Sequence, residues 1–415
     1  MGQPVILEAA YFDAVYELYR YAFHKEPRGG RDALAEFFKQ TTVYGEFDDN
    51  NQLTSQVTRI PFSVRLGHRE IAGNGIGNVA SYPEYRGNGA ASRLMMQSLQ
   101  DSYDAGEVIS YLAPFSYGFY GRFGYAQVFD HADITWRADD FPQGKRTPGV
   151  VERLPFERAL EPMKLVYRQA DVFNYGAIAR EDWWWRYYFS MKTPQTKFAI
   201  YRDEEGVAQG YVMYEFSEMT FVIREWVVLT TEALLGLTRF IGSHAGSFEV
   251  FTYEAPTADV TAVPVAQLMT EPKYQAVVKP YMQARIVNLE ALCQVPELDV
   301  PETVAFDVQD ETAPWNGGRF ELRGGTLERV VQTEAPQLSG SIQAFTQWLL
   351  GYKRLSSLLL TGELRTNTPE EFEPVDALLT RQHPYWRITS NSRKPTVKAG
   401  KKGNGLVGCH KLMGK

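Results

Sequence analysis

The stretch from residue 70 to residue 104 constrains the fold of this 415-residue chain more than any other part of it. It opens as a strand over 70–81, in which Gly73, Gly75 and Gly77 leave one face nearly bare. Glycine at alternate positions weakens a strand, so it marks a bulge or a close approach by another group. A turn-like segment follows, Tyr82-Pro83-Glu84-Tyr85-Arg86-Gly87-Asn88-Gly89. A helix pattern then runs over Ala90–Asp104, with Leu94, Met95 and Leu99 on one face. This order of strand, glycine turn and helix suits an anion. Glycines let the backbone come close and turn consecutive N–H groups inward. The helix start adds free N–H groups and the positive end of its dipole, and Arg86 adds a fixed charge.

Three kinds of phosphate-binding loop compete for this segment. A P-loop needs Gly-x-x-x-x-Gly-Lys followed by Ser or Thr, and the nearest text, at 395–402, fails at both ends. A dinucleotide fingerprint accepts Gly87-x-Gly89, and Glu107 lies about 20 residues on, where a ribose-binding acid would stand. Against it, Ser92 occupies the place of a third Gly or Ala. The third is the acetyl-CoA loop of the GNAT superfamily of N-acetyltransferases. Arg86-x-x-Gly89-x-Ala91, with the strand before it and Pro83, resembles that superfamily's Arg/Gln-x-x-Gly-x-Gly/Ala pattern.

Around this segment the pattern predicts helices over 8–25 and 32–39, strands over 55–66 and 107–113, and an aromatic, glycine-rich stretch at 115–125. A second set of elements starts near Pro142. Helices are predicted at 163–172 and 177–188, the latter carrying Trp183-Trp184-Trp185, which is expected to pack between domains. A hairpin of 198–201 and 207–216 turns at Glu205-Gly206, and a strand over 224–230, a helix over 231–243 and a strand over 248–253 follow. This repeats the order of the first set. Where the first set carries Arg86 to Ala91, however, the second reads Thr231-Glu232-Ala233-Leu234-Leu235-Gly236, with neither a basic residue nor paired glycines. A third unit begins near Met282, with a hairpin over 319–331 turning at Gly324-Gly325 and a helix over 341–352.

The segment Tyr120-Gly121-Arg122-Phe123-Gly124-Tyr125, following the Arg-x-x-Gly-x-Ala loop in a chain with a degenerate second copy, resembles the enhanced-intracellular-survival (Eis) family of GNAT acetyltransferases. The resemblance implies an α+β fold of two tandem GNAT-like domains followed by a sterol-carrier-protein-like α/β domain. On this sequence the units become 1–142, catalytic; 143–281, degenerate; 282–386, sterol-carrier-like; and 387–415, a basic tail expected to be disordered. Carried over by position, the acetyl-CoA contacts fall on Val79, Ala80 and Ser81 of the strand. They continue through Arg86 and Gly87, Asn88, Gly89, Ala90, Ala91 and Ser92, with Phe115 and Ser116 near the pantetheine arm. Tyr120 takes the family's general acid. An amine attacks the thioester carbonyl, and the departing thiolate takes a proton, which a tyrosine with a pKa of about 10 still holds at neutral pH. Tyr117 and Tyr125 are expected to be packing residues. The resemblance also gives the role of base to the chain's terminal carboxylate. Here the sequence runs past His383-Pro384-Tyr385-Trp386 into the basic tail, a departure that would displace that carboxylate. A homo-oligomer, a hexamer by the same resemblance, is implied.

Composition narrows the remaining classes. The eight basic residues of 387–415 removed, 35 basic stand against 50 acidic residues. An acidic body argues against nucleic acid as the partner and suits a cationic acceptor: an aminoglycoside, a polyamine or a lysine. The six histidines show no ligand pairing, so no metal is expected. The two cysteines, Cys293 and Cys409, lie too far apart to suggest a disulfide framework. No basic and apolar leader opens the sequence, and no run approaches a membrane span, so a cytoplasmic protein away from membranes is expected. Phe23 and His24 are expected on a buried helix face, with a substrate-cavity wall as the alternative. The rival function is a lipid or apolar-ligand binding protein carrying a vestigial acetyltransferase domain.

Overall fold

The computed structural model describes residues 2–67, 69–257, 265, 268–269, 271, 273–294 and 302–379. The first unit contains β1 (Val5–Ile6), α1 (Phe12–Phe23), α2 (Gly30–Lys39), β2 (Thr42–Phe47), β3 (Leu53–Leu66) and β4 (Arg69–Ser81). It continues through α3 (Ala90–Asp104), β5 (Ile109–Leu112), α4 (Tyr117–Gly121) and β6 (Ala126–Arg137). The second unit contains β7 (Val150–Leu154), α5 (Phe156–Gln169), β8 (Tyr175–Ala179), α6 (Asp182–Arg186) and β9 (Lys197–Arg202). Then come β10 (Ala208–Ser217), β11 (Thr220–Val228), α7 (Thr231–Gly242), β12 (Val250–Ala255) and β13 (Gln275–Ile286). The third holds α8 (Leu289–Cys293), β14 (Val304–Gln309), β15 (Gly318–Arg323), β16 (Thr326–Arg329) and β17 (Gln337–Ser341). It ends with α9 (Ile342–Leu349), α10 (Leu355–Leu360), β18 (Leu364–Arg365) and α11 (Glu373–Leu379).

The first two units share one thirteen-stranded sheet, ordered β1-β2-β3-β4-β5-β13-β6-β12-β11-β10-β9-β7, with β8 pairing β3. Strand β13 is the last of the second unit in sequence yet lies between β5 and β6, so it completes the first unit's sheet. Strand β6 in turn pairs β12 over Arg137 to Ala132. The division expected at 281/282 therefore falls inside a strand, and the third unit's own elements begin at Leu289. That unit has a separate five-stranded sheet, ordered β16-β15-β14-β17-β18, over a core that includes Phe306, Phe345 and Trp348.

Helix α3 forms over the predicted residues because its apolar positions recur at helical spacing. Leu94 and Met95 are buried with Ile76 and Tyr44, and Leu99 with Val287 and Ala313; each such side chain stabilises the fold by about 1.5–3 kcal/mol. The predicted helix over 177–188 is different. Residues 175–179 pair with β3 as a strand, with Gly176 at φ +89°, and a helix starts only at Asp182 before widening into a π-helical turn at Tyr187–Met191. The tryptophan run divides as its burial requires. Trp184 meets Phe62 of β3 edge-on at 6.0 Å, while Trp185 packs on Tyr167 of its own unit. The tail at 387–415, and with it the expected disorder and the terminal carboxylate, lies outside the described residues.

Candidate active site

The local geometry starts from a bulge. In the β3–β4 pair, Gln56 opposes Ala80 and Thr58 opposes Gly77, so Val57 faces both Asn78 and Val79. Asn78 takes up the extra residue at φ +49°, a conformation Asn reaches at lower cost than most side chains. The bulge re-aims Val79, Ala80 and Ser81. The parallel β4–β5 pair ends at Ile76 and Leu112, while β4 continues to Ser81, so the two strands part just beyond the bulge. The bare strand face serves close packing. A Cβ on Gly73 would lie 2.9 Å from the Ile109 carbonyl oxygen, and one on Gly75 would lie 3.1 Å from the Phe62 ring.

Above the parted strands, Pro83–Tyr85 forms a single 3-10 turn anchored by Tyr85, whose hydroxyl donates to Asp48 at 2.7 Å. Gly87 and Gly89 follow at φ +85° and +84°. Space is open around the Cβ position of Gly87, whereas a side chain on Gly89 would lie 2.9 Å from the Arg93 guanidinium. Arg93 occupies that place because it straps the loop down. It donates to the Asn88 carbonyl at 3.0 Å and, through two nitrogens at 2.8 and 2.9 Å, to the buried Glu46 carboxylate of β2. At the start of α3, the Ala90 N–H donates to the Asn88 side chain, and Arg93 is the first residue whose N–H reaches back to a backbone carbonyl, that of Gly89. Free N–H groups at a helix start beside an arginine attract an anion.

A cleft of about 720 Å³ opens over this turn. Val79, Ala80, Ser81, Arg86, Gly87, Asn88, Gly89, Ala90, Ala91, Ser92 and Phe115 all line it, joined by Ala22, Phe23, Tyr85, Phe119 and Arg122. Of the expected cofactor contacts, Ser116 stands apart: its hydroxyl accepts the Phe119 N–H and caps α4. Phe23 also lines this cleft and is not on a buried helix face. His24 instead terminates α1 in the left-handed conformation and is absent from the lining. The cleft suits a long ligand with a phosphate end: glycines and free N–H groups at one side, aromatic rings at the other.

Tyr120 sits one ring behind the cleft wall, 5.1 Å from Phe115 and 5.0 Å from Phe119. It is 3% exposed, and its hydroxyl has no hydrogen-bond partner among the described residues. Burial raises its pKa well above the usual tyrosine range, so the phenol keeps its proton at neutral pH. Tyr125 behaves as the packing residue expected of it, fully enclosed and joined to the Ser110 hydroxyl at 2.7 Å. Tyr117 does not: about half its surface is open.

Beneath the cleft lies a buried polar chain that the sequence pattern did not reveal. Arg59 holds Glu107 through two nitrogens at 3.1 and 2.7 Å, Asn74 donates to Glu107 at 2.6 Å, and Ser110 donates to Asn74 at 2.7 Å. Both oxygens of Glu107 are thereby engaged and the residue is 5% exposed, which removes it as a ribose-binding acid and with it the dinucleotide reading. Asn78, Arg93 and Glu46 were also missed. An asparagine after an alternating-glycine strand was the available signal for the first.

A bulged strand, a parted parallel pair and a glycine turn leading into a helix define a GNAT-type acyltransferase. Comparison with known proteins agrees. Profiles of the acetyltransferase (GNAT) domain match residues 6–128 and 176–286, and a sterol carrier protein domain matches residues 289–387. A probable N-acyltransferase from Enterococcus faecalis, solved as a protein of unknown function, is 33% identical, with a TM-score of 0.84 over 93% of this chain and 97% of its own. Eis1 from Mycobacterium abscessus shares the fold at 19% identity and TM-score 0.76, over 94% of this chain and 100% of its own. An uncharacterized N-acetyltransferase from Streptomyces avermitilis is 21% identical over 366 residues, 81% of this chain and 86% of that protein. The chain belongs to the GNAT acetyltransferases, with two tandem GNAT domains followed by a sterol-carrier domain. Among the described residues no helix is long and apolar enough to cross a membrane.

Proposed function

We propose that this enzyme transfers an acetyl group from acetyl-CoA to a primary amine, with the cleft of the first unit holding the CoA and Tyr120 acting as general acid. The observation that carries the reading is the convergence of Val79 to Ser81, the Arg86 to Ser92 turn and Phe115 on one cleft with the Tyr120 ring directly behind its wall. Acetyl-CoA supplies the acetyl group on a thioester. The N–H groups of the turn and Arg86 hold the pyrophosphate, while the backbone of Val79 and Ala80, left without a β5 partner, is placed to bond the pantetheine amides; the Ser81 carbonyl accepts Arg86 Nε at 3.3 Å. As the C–N bond forms and the C–S bond breaks, the Tyr120 hydroxyl gives its proton to the leaving sulfur, the amine nitrogen releases one proton to solvent, and solvent returns a proton to Tyr120. Its raised pKa fits an acid and excludes a resting phenolate. The acceptor is an amine, and the acidic body favours a cationic one such as a polyamine, an aminoglycoside or a lysine. The test is thiol release from acetyl-CoA with a panel of such amines, on the protein and on Tyr120→Phe. Turnover that depends on Tyr120 supports the reading; a panel turned over equally well by the variant overturns the acid.

A further inference from the structure

The turn that carries Tyr120 is packed through the tyrosine ring but not through its two glycines. Helix α4 is five residues long, and open space surrounds the Cβ positions of both Gly118 and Gly121. Its start is fixed by Ser116, within the same unit. Its end is held locally, by the Gly124 N–H on the Gly121 carbonyl at 3.1 Å, and from outside as well. Gln343 on α9 donates from its side-chain amide to the Gly121 carbonyl at 2.9 Å. Arg285, fully buried, donates to the Phe123 carbonyl, and is itself held by Asp310 at 2.5 Å and Thr312 at 2.9 Å, both in the third unit. Gly124, at φ +80°, leaves the only room for this arrangement: a Cβ there would lie 2.8 Å from the Arg285 guanidinium and 3.1 Å from Ile342. A third bond from Gln347 reaches the Gln127 carbonyl at 2.9 Å.

We infer that the sterol-carrier-like unit positions the general acid, with Gln343 as the positioning residue that holds the end of α4 and so aims the Tyr120 hydroxyl. The inference rests on the reading of Tyr120 as acid. Proton transfer requires the donor within about 2.6–3.2 Å of its acceptor, and a misplacement of about 1 Å can cost roughly a hundredfold in rate. Three side-chain bonds onto carbonyls at 121, 123 and 127 tie down the backbone just after the acid, two from α9 and one from Arg285 of β13, which the third unit's Asp310 and Thr312 hold in place; among the described residues no hydrogen bond from α9, Asp310 or Thr312 reaches the glycine turn at 86–92. The third unit thus acts on the leaving group and not on CoA binding.

Gln343 is half-buried, so its variants should fold. Gln343→Ala removes the amide, and Gln343→Glu keeps its shape while losing the donor. Each is compared with the parent and with Tyr120→Phe on acetyl-CoA and on its selenoester analogue, whose selenol leaves without acid help. Both Gln343 variants are expected to lose about tenfold in kcat on acetyl-CoA, with KM for acetyl-CoA within twofold and an unchanged melting temperature. The deficit is expected to shrink to about twofold on the selenoester, as it should for Tyr120→Phe. Unchanged kcat in both Gln343 variants, or a deficit that persists on the selenoester, overturns the clamp. If Tyr120→Phe alone is rescued by the selenoester, the clamp fails and the acid stands; if Tyr120→Phe loses nothing on acetyl-CoA, both fall.

Discussion

The first two units reach the same strand bulge and then finish the following turn in opposite ways. In the second unit, Met213 opposes Glu225 and Tyr214 opposes Ile223, so Arg224 is the extra residue, much as Asn78 and Val79 are in the first. The parallel β11–β12 pair likewise stops at Ile223 and Tyr253 while β11 continues to Val228. Beyond the bulge the resemblance ends. Residues 82–89 separate β4 from α3, whereas only Leu229 and Thr230 separate β11 from α7. The Thr230 hydroxyl accepts the Ala233 N–H at 3.2 Å, so this helix caps itself. On the strand, Glu225 stands beside the bulge as Ala80 does in the first unit. It pairs with Arg180 at 2.8 and 2.6 Å and accepts the Tyr211 hydroxyl at 2.6 Å, with both members of the ion pair almost fully buried. Arg180 lies 4.2 Å from the centre of the Tyr167 ring. The fold supplies the bulge and the parted strands; the length and glycine content of the next turn decide whether they hold an anion or the chain's own charges.

Breaking the second unit's plug should give the largest effect, and on stability alone. Arg180→Met leaves Glu225 buried without its cation, so unfolding in urea should show a loss of about 3–5 kcal/mol, with KM for acetyl-CoA unchanged. Removing the first unit's acid should do the reverse. Tyr120→Phe is expected to lower kcat about a hundredfold, near 2.7 kcal/mol, at unchanged melting temperature in steady-state thiol release. Closing the first unit's turn comes next. Gly89→Val forces a β-branched residue into positive φ, at about 1–2 kcal/mol, and against Arg93, so calorimetric affinity for acetyl-CoA should fall at least about tenfold.

The smallest effect concerns Lys192, in the second unit. Burial first, then the charges of Arg28 and Lys25, push its amine down to about 7. Between that value and the unfolded value of about 10.4 the unfolded chain binds more protons than the native one, so stability should rise with pH across this window. The penalty is fully present below pH 7. Lys192 is only half-buried and its amine lies 4.3 Å from the centre of the Tyr188 ring, so solvent and ring offset most of this penalty; Lys192→Met should flatten the slope, with a gain of about 1 kcal/mol at neutral pH, read from melts at pH 6.5 and 9.5.

Much of the site was legible because its signals are local. Gly87, Gly89 and the apolar spacing of 94, 95 and 99 describe a turn and a helix without reference to the rest of the chain, and α3 spans the predicted residues. The second unit's order was readable for the same reason, and so was its missing glycine turn. What escaped depends on partners distant in sequence. Gln283 pairs with Leu112 and places β13 between β5 and β6, a crossing no periodicity records. Residues 175–179 look helical beside the tryptophan run until β3 offers them a ladder. Glu107 passes for a ligand acid until Arg59 and Asn74 take both its oxygens. The cap that Ser116 places on a short helix depends on a turn that the spacing alone does not show.

The contrast between the two units is tested most directly by titrating acetyl-CoA into the full chain in a calorimeter, beside Gly89→Val and Thr230→Ala. The account predicts one site per chain, weakened at least about tenfold by Gly89→Val and unaffected by Thr230→Ala. Two sites per chain, or one site that survives Gly89→Val and weakens with Thr230→Ala, would contradict it.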